Sequence, residues 1–147
     1  MTPEPTNRHE TIAVRLARIL DPYVGANDLG FVYRPRAVFR IGKDVEVGPD
    51  LMVRQPHADP DGSWESAPLP LLVVEILSDS TRRQDEVTKR SVSMDAGIPE
   101  YWIPDGETRT VCMVRRGSPE VVAAKRLIWT PAAVDAPLEI DLGCVFV

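Results

Sequence analysis

The apolar residues near the start of the chain are spaced as in an amphipathic helix. They recur at intervals of three and four residues, at Ile12, Leu16, Ile19, Leu20 and Tyr23. This spacing predicts a helix from about Arg8 to Val24. His9 falls on the side of this helix that carries the apolar residues, so we expect its side chain to point into the protein.

The middle of the chain alternates short apolar runs with turn residues. Strands are predicted at residues 31–33, 37–41 and 50–54, followed by a proline-rich surface loop at 55–68. The most apolar segment is 69–77, which reads Leu-Pro-Leu-Leu-Val-Val-Glu-Ile-Leu. A continuous apolar run of this length indicates a central strand that is covered on both faces.

A second helix and further strands complete the predicted elements. Thr81 followed by Gln84 fits a capping box, and the helix that it opens is expected to end near Ala96, with Gly97 after it. Strands are predicted at 101–103 and 110–114, with weaker candidates at 121–124, 127–129 and 138–142. Helices separated by groups of strands indicate an α+β fold with a mixed sheet.

Length and composition narrow the class of protein. A chain of 147 residues makes a single domain spanning 1–147 the default, with residues 1–7 expected to be a frayed, disordered tail. No stretch approaches the roughly 20 apolar residues of a membrane span. The first ten residues also lack the apolar core of a signal peptide, so we expect a cytoplasmic protein that does not associate with membranes. Cys112 and Cys144 lie among apolar residues and are expected to be buried, reduced thiols.

The formal net charge of -5 argues against a dedicated, high-affinity nucleic-acid binder. An enzyme with a locally basic groove remains compatible with this charge. Two groups of basic residues could line such a groove or could be solvated charges: Arg34, Arg36, Arg40 and Lys43, and Arg82, Arg83, Lys89 and Arg90.

Two carboxylates are the main candidates for chemistry. Glu75 lies inside the predicted central strand, where an unpaired carboxylate would cost several kcal/mol. We therefore expect it to bind a metal, act as a base or pair with a nearby arginine. Asp50 opens the preceding strand and could be a turn residue. Carboxylates from two neighbouring strands can also bind one Mg²⁺ ion, for which the carbonyl of Ile76 could be a third oxygen ligand.

The second helix carries a further candidate. Val87, Ser91, Met94 and Ile98 share one side, and Lys89 lies on a mixed side together with Asp85 and Ser93. If the mixed side faces a cleft, Lys89 could contact a phosphate or a water molecule. Lys89 could equally form a solvated ion pair with Asp85, four residues earlier.

Three segments resemble the Uma-type restriction endonucleases, a family of the PD-(D/E)XK nuclease superfamily. They are Gly48-Pro-Asp-Leu-Met-Val, Leu72-Val-Val-Glu-Ile-Leu-Ser-Asp-Ser-Thr81 followed by Asp85 and Lys89, and Gly97-Ile-Pro-Glu-Tyr-Trp-Ile-Pro-Asp105. The resemblance runs from about residue 9 to residue 114. It implies a restriction-endonuclease-like fold, in which a mixed β-sheet core is flanked by helices, and Mg²⁺-dependent hydrolysis of DNA, with Mn²⁺ as a substitute for Mg²⁺.

The resemblance also implies roles for individual residues. Asp50 and Glu75 would be metal ligands and Lys89 the catalytic lysine, since Leu77 occupies the position of the superfamily's usual lysine. His9 resembles the polar residue of the family's first helix. Two positions depart from the family pattern, because Ser93 replaces a tyrosine and Asp79 replaces a proline.

Several functional alternatives remain open at this point. A nuclease fold without activity could bind DNA or protein. The acidic net charge and the missing tyrosine favour that alternative, whereas the presence of Asp50, Glu75 and Lys89 together argues against it. A small-molecule hydrolase has less support, because the chain has no glycine-rich phosphate loop and no nucleophile elbow. The superfamily's habit of dimerising makes a homodimer a further expectation.

Overall fold

The computed structural model describes residues 6–78 and 83–146, except for the side chains of residues 83–88. The helices are α1 (Asn7–Ala26) and α2 (Arg83–Ala96). The strands are β1 (Phe31–Tyr33), β2 (Phe39–Ile41), β3 (Val45–Val47), β4 (Leu51–Arg54), β5 (Leu72–Val74), β6 (Glu100–Asp105), β7 (Thr110–Arg115), β8 (Val121–Ala123), β9 (Arg126–Trp129) and β10 (Leu138–Asp141). Short 3-10 turns lie at Trp64–Ser66 and Leu142–Cys144.

A six-stranded mixed sheet forms the centre of the fold. Its strand order is β1-β4-β5-β6-β7-β8, and β2–β3 and β9–β10 form separate two-stranded hairpins. Neighbouring strands of the large sheet are antiparallel except for β5 and β6, which are parallel. Parallel neighbours need a crossover connection, and α2 lies in the segment that joins them. The predicted α+β class with a mixed sheet is confirmed.

Helix α1 covers one face of this sheet. Leu16 and Leu20 of the helix are fully buried and pack with Trp102 and Trp129, whose rings meet edge to face at 5.9 Å. Each fully buried side chain of this size stabilises the fold by about 2–3 kcal/mol. This packing explains why the helical apolar spacing in the N-terminal sequence was informative.

The opposite face holds a second apolar cluster. Residues that alternate with those of the first face, such as Met52, Val73 and Tyr101, meet Phe39 of β2 and Ile98, which lies two residues after α2. All three residues of β5 are buried, so the prediction of a central strand covered on both faces is confirmed.

Some predicted boundaries differ from the observed ones. Helix α1 begins one residue earlier than expected, because the Thr6 hydroxyl accepts a hydrogen bond from the His9 amide and caps the helix. Strand β3 was not predicted, because its alternation of apolar and polar residues spans only three positions, Val45 to Val47. The capping box predicted at Thr81 lies outside the described residues. Within the part of the chain that is described, no helix combines the length and apolar character needed to cross a membrane.

The expectation that both cysteines are buried is wrong. Both are free thiols, but Cys112 is half-buried and Cys144 is exposed. In the last 3-10 turn the buried side chain is that of Leu142, and Val145 directly after the turn is also buried, whereas Cys144 between them faces outward. An apolar neighbourhood in sequence did not predict burial here, because the turn changes direction at each residue.

Candidate active site

The antiparallel pairing of β4 and β5 brings the two predicted carboxylates together. Leu51 at the start of β4 pairs with Val74 at the end of β5. Asp50 directly precedes the first of these residues and Glu75 directly follows the second, so continuing the register by one step places them side by side. Two acids that are 25 positions apart in sequence therefore lie together at the adjacent ends of β4 and β5.

Asp50 is held by two directed hydrogen bonds. Its Oδ2 accepts a bond of 2.8 Å from the backbone N–H of Ile76 and one of 3.2 Å from Nε2 of His9. The side chain of Asp50 is still 21% exposed. The carboxylate is thus oriented by the protein while part of it faces solvent, as a ligand-binding carboxylate requires.

His9 lies in the first turn of α1 and is buried, as the sequence predicted. Its backbone N–H bonds to the capping residue Thr6, which fixes the first turn and thereby the direction of the imidazole. The hydrogen bond to Asp50 raises the pKa of His9 above its ordinary value, against the opposing effect of burial. On the other side of the ring, Nδ1 lies 3.4 Å from the Glu10 carboxylate. Both contacts favour an imidazole that donates to Asp50.

Glu75 is the more deeply buried of the two carboxylates, at 5% exposure. The parallel ladder with β6 continues past the end of β5, because the N–H of Glu75 bonds to Trp102 and that of Leu77 to Pro104. Glu75 therefore continues the alternation of Val73 and Leu77, which belong to the cluster beneath α2. Its side chain is placed on the sheet face that α2 covers.

Helix α2 carries the other predicted site residues. Lys89 is half-buried, and Ser93, four residues later, is fully buried, whereas Ser91 is exposed. The mixed side of the helix thus faces inward at Ser93, and Ser91 lies outside the apolar side to which its spacing had assigned it. Asp85 belongs to α2, but its side chain lies outside the described residues.

A cleft of about 380 Å³ opens next to the carboxylate pair. His9, Leu77, Ser78 and Asp105 are among the residues that line it, at the ends of β5 and β6. Asp105, which ends the third segment resembling the nuclease family, is buried, and its Oδ1 accepts a hydrogen bond from the N–H of Glu107. Asp50 and Glu75 do not line this cleft, which therefore adjoins the candidate site through His9.

The donors at the site fit a hard, oxygen-preferring cation. Asp50 and Glu75 provide carboxylate oxygens. The N–H of Ile76 points toward Asp50, and in an extended strand the carbonyl of the same residue points to the same side. Among the described residues no group of three His, Cys, Asp or Glu side chains is arranged to hold a metal. Two carboxylates and a backbone carbonyl suit Mg²⁺, which keeps several water ligands, better than Zn²⁺.

Comparisons with known proteins place the chain in a nuclease family. The sequence model of the Uma2 family, described as putative restriction endonuclease, matches residues 1–139. The chain therefore belongs to the Uma2 family, and the resemblance noted in the sequence is confirmed. No curated protein matches the chain.

A solved structure shows the same fold. It is that of a putative nuclease belonging to DUF820 from Anabaena variabilis, with a TM-score of 0.77 and 18% sequence identity. The superposition covers 99% of this chain and 84% of the other. A likeness at this level of identity establishes the fold, and the predicted nuclease-like architecture is confirmed.

Proposed function

We propose that this protein is a Mg²⁺-dependent endonuclease that hydrolyses DNA phosphodiester bonds. The observation that carries the proposal is the pair of carboxylates at the adjacent ends of β4 and β5, with Asp50 oriented by Ile76 and His9. Membership of the Uma2 family supports the nuclease class. Mn²⁺ should substitute for Mg²⁺, because both ions prefer oxygen ligands.

Each residue has a distinct role in the proposed mechanism. Asp50, Glu75 and the carbonyl of Ile76 would hold the metal, which supplies a bound water of lowered pKa and screens the charge of the scissile phosphate. His9 donates to Oδ2 of Asp50, the oxygen that also accepts from Ile76, and leaves Oδ1 for the metal. Lys89 would donate to a phosphoryl oxygen as negative charge develops there, or orient the attacking water.

The test combines metal binding with cleavage. Calorimetric titration of the parent protein with Mg²⁺ and Mn²⁺ should show one site, and supercoiled plasmid should be cut only in the presence of the metal. Asp50→Asn and Glu75→Gln keep the size of each side chain and remove its charge, so both activities should be lost. Glu139→Gln, at an exposed position on β10, is the matched control and should behave like the parent.

The outcomes also separate the competing function. Cleavage by Glu75→Gln at the parental rate would show that the assignment is wrong. If the parent binds no metal at millimolar concentration, the chain is better described as a nuclease-fold module that binds DNA or protein without cutting. Single-stranded DNA and RNA substrates should be assayed beside duplex DNA, since the proposed contacts are all to the phosphodiester group.

A homodimer is part of the proposal, because cutting a duplex needs one site for each strand. Strand β8 lies at one end of the sheet order and exposes half or more of Val121 and Val122. An exposed apolar edge of this kind is a typical pairing surface. Light scattering of the parent and of Val122→Lys should report a dimer and a monomer, respectively.

A further inference from the structure

A buried arginine lies at the opposite end of strand β4 from Asp50. Arg54 is the last residue of β4 and is 2% exposed. At about 3.3 Å per residue, the two charged residues lie about 13 Å apart along the strand. Neither the sequence patterns nor the resemblance to nucleases assigned Arg54 a role.

Among the described residues, the charge of Arg54 has no anionic counterpart. Its guanidinium lies 4.1 Å from the ring centroid of Tyr33 and 5.2 Å from that of Trp64, and Nη1 donates to the carbonyl of Gln55 at 2.8 Å. No carboxylate among the described residues pairs with it, and its buried Nε has no acceptor there. A buried cation is normally compensated by an anion. Aromatic faces supply part of that compensation and leave room for an anion.

The loop that covers Arg54 is tightly built. The N–H of Asp59 donates to Nδ1 of His57, so the ring carries its proton on Nε2 and donates to the Ser66 hydroxyl at 2.7 Å. A side chain at Gly62 would meet the His57 ring at 2.1 Å, so only glycine permits this packing. The loop thereby holds the 3-10 turn that presents Trp64 to Arg54.

These residues enclose a pocket of about 430 Å³. Its lining includes Arg54, Tyr33, Trp64, His57 and Ser63, and no acidic residue. The acidic residues of the same loop, Asp59, Asp61 and Glu65, are exposed and lie outside the lining. Trp64 is 38% exposed, so one flat aromatic surface remains available beside a buried positive charge.

We propose that this pocket, the Arg54 pocket, binds the phosphate of a nucleotide while the base stacks on Trp64. Arginine recognises phosphate by charge-assisted hydrogen bonds, and an exposed tryptophan accepts any base by stacking. The nucleotide comes either free or as part of a nucleic-acid strand. The pocket shares no residue with the carboxylate pair, so the proposal does not depend on cleavage.

Tryptophan fluorescence offers a direct test. The protein has three tryptophans, of which Trp102 and Trp129 are buried, so a ligand at the pocket should quench mainly Trp64. Without metal, the parent is titrated with inorganic phosphate, deoxyadenosine, deoxyadenosine monophosphate and a short single-stranded oligonucleotide. The monophosphate should bind at least about tenfold more tightly than deoxyadenosine, because only it engages Arg54. Tighter binding of the oligonucleotide than of the monophosphate identifies a strand, and equal binding identifies a free nucleotide.

Variants tie the signal to the pocket. Arg54→Met keeps an unbranched side chain and should lose at least about tenfold in monophosphate affinity, whereas Arg126→Met, at an exposed arginine, should not. Trp64→Phe should remove the quenching but retain the rise in melting temperature that the monophosphate causes.

If Arg54→Met does not fold, Trp64→Ala takes its place and should weaken binding. Parental affinity in Arg54→Met or Trp64→Ala, or no binding to the parent at millimolar ligand, would overturn the proposal. Glu75→Gln should bind the monophosphate normally, which separates this test from that of the nuclease.

Discussion

The two ends of strand β4 carry opposite charges that the protein stabilises in different ways. Asp50, just before the strand, receives hydrogen bonds from Ile76 and His9 and remains 21% exposed. Arg54, at the other end, is 2% exposed and lies between two aromatic rings. Directed donors fix the orientation of the acid and leave oxygen lone pairs accessible. Ring faces surround the cation but satisfy few of its five N–H donors.

The supporting elements differ as well. Asp50 is held by α1 and by the backbone beyond β5, which belong to the main apolar core. Arg54 is held by the edge strand β1 and by the loop at 55–68. Helices and strands position a side chain more precisely than a loop does, so the loop at the Arg54 end needs the internal contacts of His57 to hold Trp64 in place. The following predictions probe this difference, beginning with the largest effect.

Lys89→Ala tests whether the candidate active site at the Asp50 end of β4 includes a residue of helix α2. If Lys89 stabilises charge on the phosphoryl group, its removal should slow plasmid cleavage by about 10²–10³-fold. Metal affinity should change little, because lysine is not a ligand. Lys125→Ala, at an exposed position between β8 and β9, is the control. Equal cleavage rates for the two variants would remove Lys89 from the site.

Gly30→Ala tests how tightly the chain is packed at the Arg54 end of β4. Gly30 has a φ of +102°, and a side chain there would lie 2.1 Å from the carbonyl oxygen of Arg54. The substitution should lower the free energy of unfolding by about 3 kcal/mol, measured by urea denaturation. Gly42→Ala also has a positive φ, +64°, but no atom within 4 Å, and should cost only about 1 kcal/mol. Similar losses in the two variants would contradict the close approach.

His9→Ala tests whether the donor to Asp50 positions a metal ligand. Loss of this contact should weaken Mg²⁺ binding by about 10–100-fold in calorimetry. His9→Gln retains a side-chain donor and should recover part of the affinity. The protein has two histidines, and His57→Ala, in the Arg54 pocket, should leave metal affinity unchanged. A positioning role for His9 requires this difference between the two histidines.

The smallest expected effect concerns Cys112, which packs against the apolar cluster beneath α2. Its reactivity tests whether this face of the sheet stays closed to solvent. Burial, and next the nearby Glu120 carboxylate, raise the pKa of its thiol to about 12. In a Cys144→Ser background, the rate of alkylation by iodoacetamide should rise about tenfold per pH unit from pH 7 to 10, because the thiolate fraction keeps growing. A rate that levels off near pH 9, measured by mass spectrometry, would indicate that this face opens.

The sequence predicted those parts of the site that depend on local patterns. An acid within an apolar run singled out Glu75, and helical spacing placed His9 inside. The contact between His9 and Asp50 joins residues 41 positions apart, so no local pattern contained it. Arg54 was missed for a similar reason, because its ring partners come from β1 and from the loop. The available signal was Arg54 itself, a charged residue at the end of the otherwise apolar strand residues Leu51 to Val53.

The hydrogen bond from the Ile76 N–H to Asp50 also affects how the site tolerates change. Its donor belongs to the main chain, so substitutions at position 76 leave the anchor of Asp50 in place as long as the strand keeps its course. Proline is the exception, since it has no N–H to give. Position 76 can therefore change among apolar residues without loss of the orientation of Asp50. Because the side chain at this position is only 3% exposed, the replacement must also fit the core.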